Sequence, residues 1–245
     1  MEKSVVLIDF ENIFYKKEIT KELLCMNLSS MIDNLMLKCE IETIDIRLYD
    51  GWRKQARSTQ KADVVSSVIE QVEAELFPIV NNKSKIYGKI NLAISQYGID
   101  YEWENTLSIK SGVHRLSINN KEMPDYQCCN DINCPLQIIS KASKGENVNC
   151  PIDECESVNF NKLVRNEQKM VDAMMGSDLL EFAIDEDYDI VVIASDDMDI
   201  LPSLLLASRH KAAPTLLLYV TRNKWHLKQY SSLFSKNDII SILWE

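Results

Sequence analysis

Several carboxylates in this chain fall where a run of buried-type residues gives out. The apolar run Ser4-Val5-Val6-Leu7-Ile8 ends in Asp9-Phe10-Glu11-Asn12, and the run from Tyr188 to Ala194 ends in Ser195-Asp196-Asp197-Met198-Asp199. Lys169 and Asp172 belong to the helix that leads into the second run. If Asn166 is the N-cap of that helix, both lie in its first turns. Carboxylates that converge cannot all stay ionised unaided, because two unit charges ~4 Å apart repel by ~4 kcal/mol at an effective dielectric near ~20. Either their pKa values rise or divalent cations neutralise them. Oxygen ligands alone select hard ions, and Mg²⁺ or Mn²⁺ suits a site shared with substrate phosphate. Such ions position water, lower its pKa and stabilise charge on attacked and leaving oxygens. A single aspartate at a strand end is commonly only a turn or helix cap.

Two further strand ends carry basic and aromatic residues. Tyr49-Asp50-Gly51-Trp52-Arg53-Lys54 is followed by Arg57 and Lys61, and a second segment reads Thr221-Arg222-Asn223-Lys224-Trp225-His226-Leu227-Lys228. Arg53, Lys54, Arg222 and Lys224 can neutralise phosphates there, while Trp52 and Trp225 can stack unpaired bases. The combination favours single-stranded or looped RNA over a rigid duplex. Lys169 sits one turn before Asp172 and either contacts phosphate or forms an ordinary surface pair with it. His114, His210 and His226 show no metal-ligand or nucleophile spacing.

Five of the seven cysteines lie between Cys128 and Cys155. Cys129-x4-Cys134-x15-Cys150-x4-Cys155, with prolines after Cys134 and Cys150, suits a closed tetrahedral Zn²⁺ site of structural type. Cys128 is then spare, or substitutes for Cys129. Free thiols, a redox switch or an iron–sulfur cluster are the alternatives. Cys25 and Cys39 read as core.

Strands alternating with helices must position these groups. Glu42–Tyr49, Lys89–Ser95, Pro214–Val220 and Asp238–Leu243 read as strands beside the two acidic ones, and Lys21–Leu37, Thr59–Leu76, Leu201–Ser208 and Trp225–Phe234 as helices. That rhythm implies βαβ units, an α/β class, a mostly parallel sheet and helices on both faces. Residues 97–160 break it. Thr106–Lys110 and Val113–Ile118 flank Ser111-Gly112 and predict a β-hairpin, after which the cysteines follow. The domain expectation is therefore 1–96 with 161–245 as one α/β domain, and 97–160 as an inserted hairpin and zinc-knuckle-like module. That module can clamp substrate or carry a protein partner or dimer contact.

Hydrophobic residues form 46% and charged residues 26% of the 245, an ordinary globular balance. The formal charge of −10 argues against simple electrostatic adhesion to nucleic acid. The charge is uneven, with seven acids and no Lys or Arg from Asp185 to Asp199, and five Lys or Arg and no acid from Arg209 to Lys228. No apolar run approaches the ~18 residues a membrane span needs. A cytoplasmic protein with no membrane association is expected.

Three blocks now resemble the NYN family. Val5-Val6-Leu7-Ile8-Asp9-Phe10-Glu11-Asn12 is similar to the family's opening strand, Lys169-Met170-Val171-Asp172 with Asp178-Leu179-Leu180 to its Lys-Gly-Val-Asp…Asp-Leu-Leu helix, and Tyr188 through Ile200 to its strand ending Ser-Gly-Asp-x-Asp-Phe. Met170 and Asp196 stand where glycines are usual, and Ile200 stands where the family has Phe. The resemblance implies a PIN-like three-layer fold with a mostly parallel central sheet. It also implies a metal-dependent endoribonuclease that cuts RNA with metal-activated water. Asp9, Asp172, Asp197 and Asp199 fall on the family's acidic positions, with Asn12 and Ser195 as supporting polar groups. Asp196 leaves open which of Asp196 and Asp197 points inward. Asp178 reads as a group behind the site or on the surface, and Glu11 and Asp189 as solvated. A non-catalytic RNA-binding or regulatory module and a DNA-directed nuclease are the alternative functions.

Overall fold

The computed structural model describes residues 2–14, 18–80, 85–111, 117–118, 163–168 and 170–244. In chain order its elements are β1 (Lys3–Asp9), α1 (Phe10–Phe14), α2 (Lys21–Met36), β2 (Thr43–Tyr49), β3 (Arg53–Lys54), β4 (Arg57–Ser58), α3 (Gln60–Leu76), β5 (Ile79–Val80) and β6 (Lys85–Leu92), then β7 (Leu107–Ser111), β8 (Ser117–Ile118), β9 (Leu163–Gln168), α4 (Val171–Ile184), β10 (Ile190–Ala194), α5 (Leu201–His210), β11 (Leu216–Thr221), α6 (Lys224–Lys236) and β12 (Ile239–Leu243). Among the described residues, no helix is long and apolar enough to cross a membrane.

Seven strands form one sheet in the order β12-β11-β10-β1-β2-β6-β5, and every neighbouring pair is parallel except β5 with β6. The class is α/β, with a mostly parallel sheet. A parallel sheet needs both faces covered, which is why its inner strands are continuous apolar runs. Val6 and Ile8 join one core with α2 and α3 residues such as Leu24, Leu28, Val65 and Val72. Val5 and Leu7 point the other way, into a core with Met174, Phe182, Leu204, Ala207 and Phe234 of α4, α5 and α6. Threonine side chains cap two helices. Thr20 accepts from Leu23 N, and Thr59 from Ala62 N. Cys25 and Cys39 are buried in the first core.

Several expected boundaries move. The strand placed at Lys89–Ser95 runs over Lys85–Leu92, in register with β2 from Thr43↔Tyr87 to Leu48↔Leu92. Asn166 is not the N-cap of α4, because it lies in β9; α4 starts at Val171 behind Met170, which has φ 62° and offers no side-chain cap. Met170 thus occupies a left-handed conformation that favours glycine and costs other residues about 1–2 kcal/mol.

The chain divides into two compact units, 1–106 with 169–245, and 107–168. Residues 97–106, expected in the insertion, belong to the α/β unit. Tyr97 N donates to Asp178 Oδ1 at 2.8 Å, its ring lies 4.0 Å from that of Phe182, and Trp103 N donates to Ile94 O. In the second unit β9 is central, in the order β7-β9-β8. The hairpin expected around Ser111-Gly112 is therefore not the pairing observed, since β7 pairs with β9 from Leu107↔Gln168 to Ser111↔Val164. The insertion leaves and returns at neighbouring points, so its outgoing and incoming strands form the stem. Cys129, Cys134, Cys150 and Cys155 lie outside the described residues, as does the expected zinc module around them.

Candidate metal centre

Strand order reverses between β1 and β10, since β1, β2 and β6 step outward one way and β10, β11 and β12 the other. In open parallel sheets, ligands bind outside the carboxyl ends of the strands at such a point. Asp9 is the last residue of β1, and Ile8 is opposite Ala194 of β10, so Ser195 emerges beside Asp9. Ser195 Oγ donates to Asp9 Oδ2 at 2.9 Å. Asn12, one turn into α1, donates its Nδ2 to the same oxygen at 2.5 Å and its backbone N–H to Oδ1 at 3.3 Å. Only 3% of Asp9 is exposed. Burial pushes its carboxyl up to about 6, against the three donated hydrogen bonds and with a smaller push from the charge of Asp172.

Asp172 stands in the first turn of α4, where the helix dipole favours a carboxylate. Its pKa is raised by burial first and then by the charges of Asp197 and Asp199. The charge of Asp172 thus reaches Asp9, and the charges of Asp197 and Asp199 reach Asp172. Backbone bonds shape the loop that carries the last two. Asp197 N donates to Ser195 Oγ, and Asp199 N donates to Asp197 Oδ1, both at 2.9 Å. Asp196 turns away, because its Oδ1 accepts from Thr221 Oγ1 at 2.6 Å and from Arg222 N at 2.7 Å. Asp197, rather than Asp196, is the member felt by Asp172.

No described Lys or Arg forms an ion pair with any of these four carboxylates. Among the described residues, no three acidic, histidine or cysteine side chains are drawn together tightly enough to hold a metal ion. The donors are oxygen only, spread over a crevice, and one is buried without a counter-charge. That set fits a hard divalent ion that keeps several waters and uses one or two carboxylates per ion, as Mg²⁺ does, better than a closed protein cage.

The expected substrate residues divide. Trp225 is 62% exposed in the first turn of α6, with its N–H bonded to the Asn223 cap at 3.0 Å. Lys224 is exposed beside it, and Lys54 is half-buried. Trp52 does not reach solvent. It is 0% exposed, its ring lies 5.2 Å from that of Phe10 and its Nε1 donates to Leu48 O at 2.7 Å. The strand-end position suggested a stacking platform, but the apolar layer over β1 and β2 takes the ring. Arg53 pairs with Glu102 at 2.5 Å and donates to Ala56 O at 2.9 Å. Arg222 donates Nη1 to Ile13 O at 2.6 Å and Nη2 to Asn27 Oδ1, with its guanidinium 4.3 Å from the centre of Trp244. Both arginines are committed to protein groups instead of facing substrate. Lys169 lies outside the described residues.

Of the two readings of Asp178, burial excludes the surface one, and Asp189, expected to be solvated, is not fully so. Asp178 is fully buried and accepts from Tyr49 OH at 2.6 Å, Tyr97 N at 2.8 Å and Arg47 Nη2 at 3.1 Å. It ties α4 to β2, so α4 is fixed about one and two-thirds turns beyond Asp172. Nothing in the local sequence links Asp178 to Arg47, which lies 131 positions away. Asp189 is half-buried and accepts from Lys3 N at 2.8 Å. Compared with known proteins, the chain matches no family model, no curated protein and no solved structure at a significant level.

Proposed function

We propose that the chain is a metal-dependent endoribonuclease of PIN-like architecture that cuts single-stranded or looped RNA. The observation that carries this reading is the placement of Asp9, Asp172, Asp197 and Asp199 about the switch point, with no ion pair from a described Lys or Arg to any of them. These four would hold Mg²⁺ or Mn²⁺. When bound, the ion supplies Lewis acidity toward water and phosphate oxygens. The chain's residues do the rest. Asn12 and Ser195 fix both oxygens of Asp9, the N–H of Asp199 orients Asp197, and Thr221 draws Asp196 aside. Trp225 offers an exposed ring on the same edge of the sheet for an unpaired base.

The NYN resemblance supports the same chemistry from three blocks of residues. The reading also includes a structural Zn²⁺ at Cys129, Cys134, Cys150 and Cys155, a substrate or partner contact through the insertion, and a cytoplasmic location. The test is incubation with mixed RNA and DNA substrates in EDTA, Mg²⁺ and Mn²⁺, followed by mapping of cut ends. Cuts in unpaired RNA that require the divalent ion are expected. Binding without cuts would leave a non-catalytic RNA-binding module, and cuts confined to DNA a DNA-directed nuclease.

A further inference from the structure

Between Asp50 and Asp63 the chain carries Arg53, Lys54, Arg57 and Lys61 and no acid. β3 and β4 fold part of this stretch into a hairpin, with Arg53 opposite Ser58, Lys54 opposite Arg57, and Gln55 and Ala56 at the tip. Both tip residues have positive φ, 51° and 58°. A two-residue turn of that kind ordinarily uses Asn-Gly. Neither residue here is glycine, so the tip is strained, and such strain persists only where the surroundings hold it.

The surroundings do hold it. Gln55 N donates to Asn105 Oδ1 and Ala56 N to Glu104 O, both at 2.8 Å. Arg53 N donates to Thr106 Oγ1 and Thr106 N donates back to Arg53 O, both at 2.9 Å. Arg53 closes the base through Glu102 and Ala56, and Trp52 anchors it in the core. Lys61 pairs with Asp50. Lys54 and Arg57 are left facing each other across the hairpin, and neither pairs with a described acid. Like charges directly opposite on paired strands repel. A bound polyanion reverses the sign of that term.

The tip is also close to the carboxylates. Tyr49 is opposite Asp9 in the sheet, and Lys54 lies five residues beyond it, at most about 18 Å of extended chain. We propose that the β3–β4 hairpin is the backbone grip of the substrate strand, with Lys54 and Arg57 taking neighbouring phosphates a few nucleotides from the carboxylate crevice. This grip rests on the reading of that crevice as an RNA-cleaving site.

The test is fluorescence anisotropy with a labelled unpaired oligoribonucleotide in Ca²⁺, across a salt series, for wild type, Lys54→Ala/Arg57→Ala and the exchange variant Lys54→Arg/Arg57→Lys. The double alanine variant is expected to bind more weakly and to lose about 1.4 from the logarithmic salt slope, two contacts at about 0.7 each for a single strand. Its melting temperature should stay at or above that of wild type, and the exchange variant should keep the wild-type slope. Wild-type affinity and slope in the double alanine variant would overturn the grip while leaving the proposed function standing. A wild type that binds no unpaired RNA would overturn both.

Discussion

Asp9 is buried and its carboxyl sits near 6, so the folded protein holds that proton more tightly than the unfolded chain, where the value is 3.8. Between those values stability falls as pH rises, and above about 6 the full cost of ionising the buried group is present. Two units correspond to about 3 kcal/mol. In metal-free buffer, Asp9→Asn should therefore be more stable than wild type at pH 7.5, by up to about 3 kcal/mol less whatever the new amide loses against Asn12. The gap should close toward pH 4. Denaturant melts in EDTA at several pH values measure it, and a gap that does not change with pH would contradict the assignment. Arg222 and Trp225 make a paired prediction. Arg222→Ala should destabilise by about 2–3 kcal/mol, because it leaves the Ile13 carbonyl and the Asn27 amide oxygen without their charged donor. Trp225→Ala should leave the melting temperature unchanged and weaken unpaired RNA by about 1–3 kcal/mol if a base stacks there. The contrast marks how far residue roles were legible. Residue type and strand-end position located Asp9, Asn12 and Ser195 at one point. They could not tell an arginine aimed at solvent from one whose partners lie elsewhere in sequence, as Asn27 lies 195 positions from Arg222.

The helices and strands of the α/β unit were legible because their apolar periodicity is strong over seven to seventeen residues, as in β1 and α3. Elements of two residues, β3, β4 and β5, have no period to read, and the β3–β4 tip is set by hydrogen bonds to residues 104–106. The stem of the insertion was misassigned because Thr106–Ile118 satisfies a local hairpin pattern, whereas the observed partner of β7 returns more than fifty residues later. At this scale Gly176 is the informative position. It lies on α4 one turn beyond Asp172, and a Cβ there would meet Ser203 Oγ of α5 at 2.5 Å and Ser203 Cβ at 3.1 Å. Gly176→Val should force α4 from α5 and cost about 1–3 kcal/mol. Because Asp172 rides on the same helix, divalent-ion affinity should fall with it. A thermal melt alongside an ion titration checks both, and an unshifted melting temperature would mean the helix pair accommodates the side chain.

Over the whole molecule, the formal charge of −10 includes four carboxylates that lie about one edge of the sheet. Such a field repels RNA until cations occupy the crevice, so binding and catalysis should share one requirement for divalent ions. The strand order places those carboxylates at the switch point between β1 and β10, a feature of topology that the alternation of strands and helices did not specify and that no single residue encodes. These carboxylates are proposed to cut RNA through a divalent ion. The deciding measurement is the single-turnover rate of cleavage of a labelled unpaired RNA in Mn²⁺, for wild type, Asp172→Asn and Asp199→Asn, with an EDTA control. Several kcal/mol of transition-state stabilisation should be lost in each variant, a fall of about a hundredfold or more, and EDTA should abolish the reaction in all three. Wild-type rates in both variants, or cleavage that persists in EDTA, would rule out metal-dependent cleavage by these carboxylates.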